Sequence, residues 1–324
     1  EMIVSTVEMC ELNQDLSFRA KRGISTTNPR DSSRKNAARN DIYLDKLRET
    51  ANKMIRVVDA LRKPDGSIPL FGDEDGGKWI ANYQLPITNL QSPISNLPHA
   101  GWFIYRHDEA YLAIRAGDNG QLGWGGHAHN DALSFEYSIG ERNFLVDPGT
   151  YTYTSDPEAR DLFRSTAYHN TLRVDGQEIS RIPEGELFRL ENDVRCRVIA
   201  QNDSMWEGEH SGYAKQLGVI HRRRFEKLGT GWRIGDTVSG VGFRTLEWFF
   251  HFDPSCAVEI DQNRVITKFA SSPNIQITSN YQLPITLQQG FISLTYSQRT
   301  PAPVAKFSLT TQLPFSVEFI ISKL

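Results

Sequence analysis

Gly125-Gly126-His127-Ala128-His129-Asn130-Asp131 opens the stretch that decides how this chain is read. A short alternating run follows. Then come Asp147-Pro148-Gly149-Thr150-Tyr151-Thr152-Tyr153 and Arg164-Ser165-Thr166-Ala167-Tyr168-His169-Asn170. Three of the chain's eight histidines fall between positions 125 and 170, with Asp131 and Asp147 close in sequence. Imidazole and carboxylate are the ligands borderline metals prefer. On a strand, His-x-His would put both rings on one face, because side chains alternate. On an irregular loop the rings can diverge, one to a metal and one to a substrate, and this second arrangement is the expectation here.

Working outward, the pattern from about Pro98 onward is one of short alternating runs with turn signals, as in all-β domains. Trp102–Tyr105 and Tyr111–Ile114 flank a turn at Arg106-His107-Asp108-Glu109, predicting a hairpin with His107 exposed and inert. Further strands are expected at 134–138, 142–146, 171–174, 194–200, 219–225, 232–237, 246–252, 291–296 and 315–321. A dozen or so strands would form a sandwich of two antiparallel sheets. Arg222-Arg223-Arg224 lies in one of them, so at least one arginine should face solvent, and the run is read as a surface feature.

Upstream, Leu44, Leu47, Ala51, Met54, Ile55, Val58 and Leu61 recur at spacings of three and four, predicting a helix from Asp41 to Arg62. Pro64 and Gly66 stop it. Asp73-Glu74-Asp75 lacks the spacing of an EF-hand loop, so a turn with solvated carboxylates is expected. Residues 21–40 are polar and basic and read as a loop, and 2–12 form a weakly amphipathic segment. Pro86, Pro93 and Pro98 mark a linker, giving a helical segment over 1–95 and a β-sandwich over 96–324.

At 324 residues, with 39% hydrophobic and 23% charged residues, the chain is ordinary for a globular protein with a large core. A formal charge of −3 gives no pull toward nucleic acid or anionic membrane, and no run approaches the length of a membrane span. Cys10, Cys196 and Cys256 show no CxxC spacing and are expected to be buried thiols. The chain begins at Glu1 without a signal peptide, which points to a processed, engineered or partial product.

His129, Asp147 and His169, with a water, would complete a four-coordinate zinc site with ligand distances of roughly 2.0–2.2 Å. The alternative is three unrelated residues, two of them satisfied core or surface histidines. No standard zinc motif such as HExxH is present.

The three motifs together, Gly126–Asp131, Val146–Tyr151 and Arg164–Thr171, resemble the β-domain signature of the heparinase II/III-like polysaccharide lyases. Pro64-Asp65-Gly66 and Phe71-Gly72-Asp73 resemble the end of that family's helical toroid. The likeness covers roughly 40–180, with a general fit to a β-rich tail that includes Trp248-Phe249-Phe250-His251. It implies a mainly β fold, an antiparallel β-sandwich preceded by the last helices of an (α/α) toroid. It also implies β-elimination at a uronic acid in an acidic polysaccharide. Position by position, His127 falls on the family's catalytic histidine, and His129, Asp147 and His169 on the ligands of one zinc ion that looks structural. Tyr151 and Tyr153 are the further candidate catalytic residues if they line the cleft, and otherwise pack between sheets. Asp131 and Asn170 either orient the ligands or serve as loop hydrogen bonders.

The family's toroid supplies further catalytic groups, and no position among the first 95 residues matches them. The chain alone is therefore expected to be inactive or weak, because acid and base act together. A non-catalytic carbohydrate-binding or assembly module, and a zinc hydrolase using metal-activated water, are the competing readings. The resemblance implies a periplasmic or secreted location.

Overall fold

The structure is a computed structural model that describes residues 32–76, 94–229, 231–270 and 273–324. The 2–12 segment, Cys10, Pro86 and Pro93 lie outside the described residues. The chain divides into two compact units, the second comprising Lys63–Gly76 and Ser92–Leu324.

In the first unit, α1 spans Ser32–Leu61. It begins nine residues before the expected start. Ser32 to Asn40 is polar all round, so no apolar stripe announces a helix there, although Ala, Arg and Lys are good helix formers. Within the expected part, Leu44, Ala51, Val58 and Leu61 are buried, as the spacing of three and four requires.

The second unit holds three antiparallel sheets among the described residues. The first runs in order β1 (Ile94–Leu97), β2 (Trp102–His107), β3 (Ala110–Arg115), β4 (Ser134–Ile139) and β5 (Arg142–Leu145). A four-stranded sheet contains β6 (Leu172–Val174), β11 (Phe243–His251), β15 (Ile285–Thr295) and β16 (Gln298–Gln312). An eight-stranded sheet contains β7 (Cys196–Asn202), β8 (Met205–His210), β9 (Ile220–Leu228), β10 (Gly231–Ser239), β12 (Ala257–Asp261), β13 (Arg264–Lys268), β14 (Ile275–Ser279) and β17 (Phe315–Lys323). All three contribute to one core. Phe135 of the first sheet meets Phe225 of the largest at 5.3 Å and Phe250 of the smallest at 6.3 Å, and Phe250 meets Phe319 at 5.3 Å. Offset and edge-on contacts of this kind are how aromatic rings fill the space between sheets. The architecture is thus mainly β with an N-terminal helical segment, as expected, with three sheets where two were anticipated.

Three local expectations need correction. β8 was not foreseen, because Met-Trp-Glu-Gly-Glu-His is half polar. Its Trp206, Gly208 and His210 face inward, while Glu209 pairs outward with Arg197 and Arg222. His107 ends β2 half-buried against Trp232, with ring centroids 6.0 Å apart, rather than standing exposed in the turn. In the arginine run, Arg222 and Arg224 do face outward, but strand alternation turns Arg223 into the core, where it is 1% exposed.

Arg223 is satisfied there. Its Nε and Nη2 donate to Asp236 at 2.7 Å each, and its Nη1 donates to the carbonyls of Leu133 and Asn170 at 2.9 and 2.8 Å. Asp236 also accepts from His221 Nε2 at 2.9 Å, and His221 Nδ1 lies 3.2 Å from His210 Nε2. Because Gly212 N–H donates to His210 Nδ1, both rings are assigned as Nε2–H tautomers that donate along one chain toward Asp236. Burial lowers both histidines' pKa values and favours this neutral state. The cluster clamps the largest sheet to the backbone beside His169.

Residues 63–76 run with the β unit rather than with α1. Glu136 on β4, fully buried, anchors them. Its carboxylate takes Lys63 Nζ at 2.8 Å, the Leu70 N–H at 2.7 Å and the Asp147 N–H at 3.2 Å. A buried carboxylate without such partners would be strongly destabilising. The strap therefore delivers Phe71-Gly72-Asp73 to the face that carries the His-x-His loop.

Candidate metal and catalytic centre

Gly72 begins the site. Its φ is +64°, and a Cβ there would sit 2.9 Å from the carbonyl oxygen of His127. Only a residue without a side chain lets the strap approach this closely. The Asp73 N–H then donates to that carbonyl at 3.2 Å, placing the Asp73 side chain between two histidines.

Asp73 is 5% exposed by side chain and accepts from four donors. His127 Nδ1 and His129 Nε2 each lie 2.9 Å from one of its oxygens. Arg160 donates Nη2 to Oδ2 at 3.0 Å and Nη1 to Oδ1. Burial opposes ionisation of Asp73, but hydrogen bonds and charge from His129 and Arg160 outweigh it and hold the carboxyl below the usual range. An ionised carboxylate only accepts, so the two ring nitrogens facing it carry hydrogen. Arg160 comes from α2 (Pro157–Phe163), whose N-cap Asp156 accepts from the Ala159 N–H at 3.0 Å. Its Nε donates to the Leu187 carbonyl at 3.1 Å and its Nη1 to Thr150 Oγ1 at 2.8 Å.

The sequence expectation for Asp73-Glu74-Asp75 is therefore corrected, since these are not free solvated carboxylates. Asp75 takes the Tyr153 hydroxyl at 3.0 Å, and Glu74 takes the Gly76 N–H at 2.9 Å. Asp73 and Arg160 are the two site residues that sequence reasoning missed. The available signal was Phe71-Gly72-Asp73, where glycine precedes the acid.

The three expected metal ligands do come together. His129, Asp147 and His169 are all buried, and each offers a ligand atom within 4.8 Å of the others. His129 and His169 ring centroids are 5.3 Å apart. His169 Nδ1 lies 2.7 Å from Asp147 Oδ2. His129 Nδ1 and His169 Nε2 are buried without any partner. An unpaired buried polar atom costs roughly 1–3 kcal/mol, so two in one spot call for a ligand. Burial lowers the His129 pKa, which favours the neutral imidazole that coordination requires. Burial opposes protonation of His169 too, but the Asp147 carboxylate outweighs it and raises that value.

Of the two readings left open for Asn170 and Asp131, their contacts fit loop hydrogen bonding. Asn170 donates Nδ2 to Phe135 O at 2.8 Å and Val146 O at 3.0 Å, and its Oδ1 accepts the His251 N–H at 2.6 Å. Asp131 pairs with Arg115 at 3.7 Å. Both stabilise the loop.

His127 diverges from His129 as a loop permits. Its side chain is 66% exposed while Nδ1 stays tied to Asp73, which leaves Nε2 for a bound molecule. Tyr153 stands close by, linked to His127 through Phe188, with ring distances of 6.2 and 5.9 Å. Tyr151 is half-buried, 5.6 Å from Phe163 and under the Arg299 guanidinium. Such an arrangement can hold a metal on its buried side and present a tethered imidazole on its outer side.

The family model Heparinase II/III-like, C-terminal, matches residues 89–318. Among solved structures, a heparinase III described as the BT4657 gene product shares 18% identity at a TM-score of 0.69, covering 86% of this chain and 47% of its own. The heparan sulfate lyase HepC from Pedobacter heparinus shares 16% at 0.69, covering 99% and 52%. No curated protein matches the chain at the sequence level. The chain spans about half the length of these structures, and at such identities they show a common fold. The three motifs, the sheets that carry them and the family model agree: this chain belongs to the heparinase II/III-like family, whose C-terminal domain it contains.

Proposed function

We propose that this chain is the zinc-bearing C-terminal part of a polysaccharide lyase that cleaves uronic-acid-containing polysaccharide by β-elimination. The observation that carries the reading is the shared carboxylate. Asp73 holds exposed His127 by Nδ1 and buried His129 by Nε2. In the reaction a base takes the C5 proton, the electron pair forms the C4–C5 double bond, the C4–O4 bond breaks and O4 receives a proton. With its Nδ1–H on Asp73, His127 keeps a lone pair on Nε2 and serves as that base, and the carboxylate stabilises the imidazolium that results. Tyr153 donates its hydroxyl to Asp75. Burial first, and that hydrogen bond, keep it protonated, so it lines the cleft rather than acting as base. Tyr151 lines the same face.

The two orphaned ring nitrogens with the Asp147 carboxylate form an N, N, O donor set that suits zinc. When bound, the ion would cross-link three loop segments and hold in place the turn that presents His127. A uronate carboxylate must also be neutralised and O4 protonated. Groups for those tasks are expected from the toroid, so the chain by itself is inactive or weak. An acidic polysaccharide as substrate fits a periplasmic or secreted location, and the named relatives make heparan sulfate the first polymer to try.

Two measurements test this. Elemental analysis should find one zinc per chain, lost in His129→Ala and in Asp147→Ala. Ultraviolet absorbance of unsaturated uronate should stay near background for this chain on heparan sulfate, and rise for the longer protein unless it carries His127→Ala. Metal-free protein prepared without chelator, or full activity in the longer His127→Ala protein, would overturn the reading.

A further inference from the structure

Beyond His127, a strip of aromatic rings continues across the surface of the β unit. Phe188 lies 6.2 Å from the His127 ring, Tyr153 lies 5.9 Å from Phe188, and Tyr296 stacks on Tyr153 at 5.1 Å. Phe188 and Tyr296 are exposed large hydrophobic residues. The strip is built on a rigid base. The buried Arg160 guanidinium sits 5.5 Å from the Tyr153 centroid and 5.3 Å from that of Phe188. The hairpin turn between β15 and β16, which carries Tyr296, is tied down by the Tyr296 N–H to Asp75 O at 2.9 Å and the Ser297 N–H to Tyr151 O at 2.8 Å.

Arg299 stands at the start of β16, just past Tyr296. Its guanidinium lies 4.9 Å from the Tyr151 centroid and 4.6 Å from that of Phe291, so two rings hold it in place. Arg299 is exposed, and among the described residues no carboxylate lies within ion-pairing distance of it. The other exposed arginines described in the β unit differ, as Arg195 and Arg224 also have carboxylates within 4 Å. Exposed Arg197 reaches Glu209 at 2.6 Å, and half-buried Arg264 reaches Asp261 at 2.6 Å. A pre-ordered guanidinium without a counter-ion, at the end of an aromatic strip, is suited to an anion on a ligand that lies along the strip.

We infer that Phe188, Tyr153 and Tyr296 form the path of an acidic glycan leading away from His127, and that Arg299 reads an anionic group on it. The apolar faces of pyranose rings pack on the exposed rings of Phe188 and Tyr296, and Tyr153 between them supports both. The anionic group is a uronate carboxylate or a sulfate ester. This rests on the lyase reading above.

Titration calorimetry of this chain with a heparan sulfate hexasaccharide, and with its chemically desulfated counterpart, tests the path. Arg299→Gln should weaken binding about tenfold, as expected for a charge-assisted hydrogen bond, and flatten its salt dependence. Tyr296→Ala should weaken it a few-fold. Arg264→Gln, on β13, should leave it unchanged. A penalty from Arg299→Gln that persists on the desulfated sugar assigns the carboxylate, and one that vanishes there assigns the sulfate. Circular dichroism should show each variant folded, since these side chains lie at the surface. Wild-type binding that ignores both Arg299→Gln and Tyr296→Ala would overturn the path while sparing the lyase reading. No wild-type binding to either sugar would overturn the path, while the zinc and ultraviolet measurements above decide the lyase reading separately.

Discussion

Replacing Asp73 by Asn would separate the two tasks of the shared carboxylate. The substitution keeps shape and removes charge. Four donors now converge on Asp73, two of them from the fully buried guanidinium of Arg160. An amide offers one oxygen to them and turns its NH₂ toward other donors. Arg160 is then a buried charge without a counter-ion, a change that costs roughly 3–5 kcal/mol. His129 also loses the partner that fixes its tautomer, and loss of such a partner lowers metal affinity about 10–100-fold. Urea unfolding reads the first effect, and zinc competition against a chelator reads the second. The two respond differently to a second change. Adding Arg160→Met to Asp73→Asn removes the stranded charge and should recover part of the stability, yet should leave zinc affinity low. If Asp73→Asn kept both its unfolding midpoint and its zinc affinity, the assignment of Asp73 as the link between His127 and His129 would be wrong.

Two further predictions concern the β unit. Arg223→Met should destabilise it by about 3–5 kcal/mol, because Asp236 is left as a lone buried charge and the Leu133 and Asn170 carbonyls lose their donor. Denaturant titration checks this, and a loss under 1 kcal/mol would show that the clamp is dispensable. His251, 1% exposed, is pushed down to about 3 by burial, against roughly 6.5 in an unfolded chain. A depressed value means its contribution is complete above pH 6.5 and is lost as pH falls toward 3. Linkage puts the loss between pH 6.5 and 4.5 at about 2 kcal/mol. His251→Gln should flatten the pH dependence of the unfolding midpoint over that window, and an unchanged slope would refute the assignment.

Much of the β unit could be read in advance because strand alternation is local. β9 and β10 followed from their alternating residues, and the hairpin of β2 and β3 from the runs flanking its turn. β8 escaped because its outward glutamates are balanced by arginines on neighbouring strands, which only pairing reveals. The N-terminal third of α1 escaped because a helix polar all round has no stripe to find. Tyr153 could have packed between sheets or lined a cleft, and its hydrogen bond to Asp75 and its stack on Tyr296 place it at the surface beside His127.

His129, Asp147 and His169 were legible because residue type alone restricts what they can do. Two imidazoles and a carboxylate near sharp turns are metal ligands or coincidence, and the resemblance of the motifs favoured the first. Asp73 and Arg160 were not legible, because their meaning is a meeting across 87 positions of chain. An acid after glycine looks like any surface turn until the strap is pinned by Glu136 and the φ of Gly72 lets it touch His127. By itself, the sequence determined strand periodicity, the α1 stripe and which side chains of the three motifs could serve as ligands, since these depend on local geometry and residue type. Only the tertiary structure decided which charges are buried and which partners they find, since burial and pairing are created when distant segments close over one another.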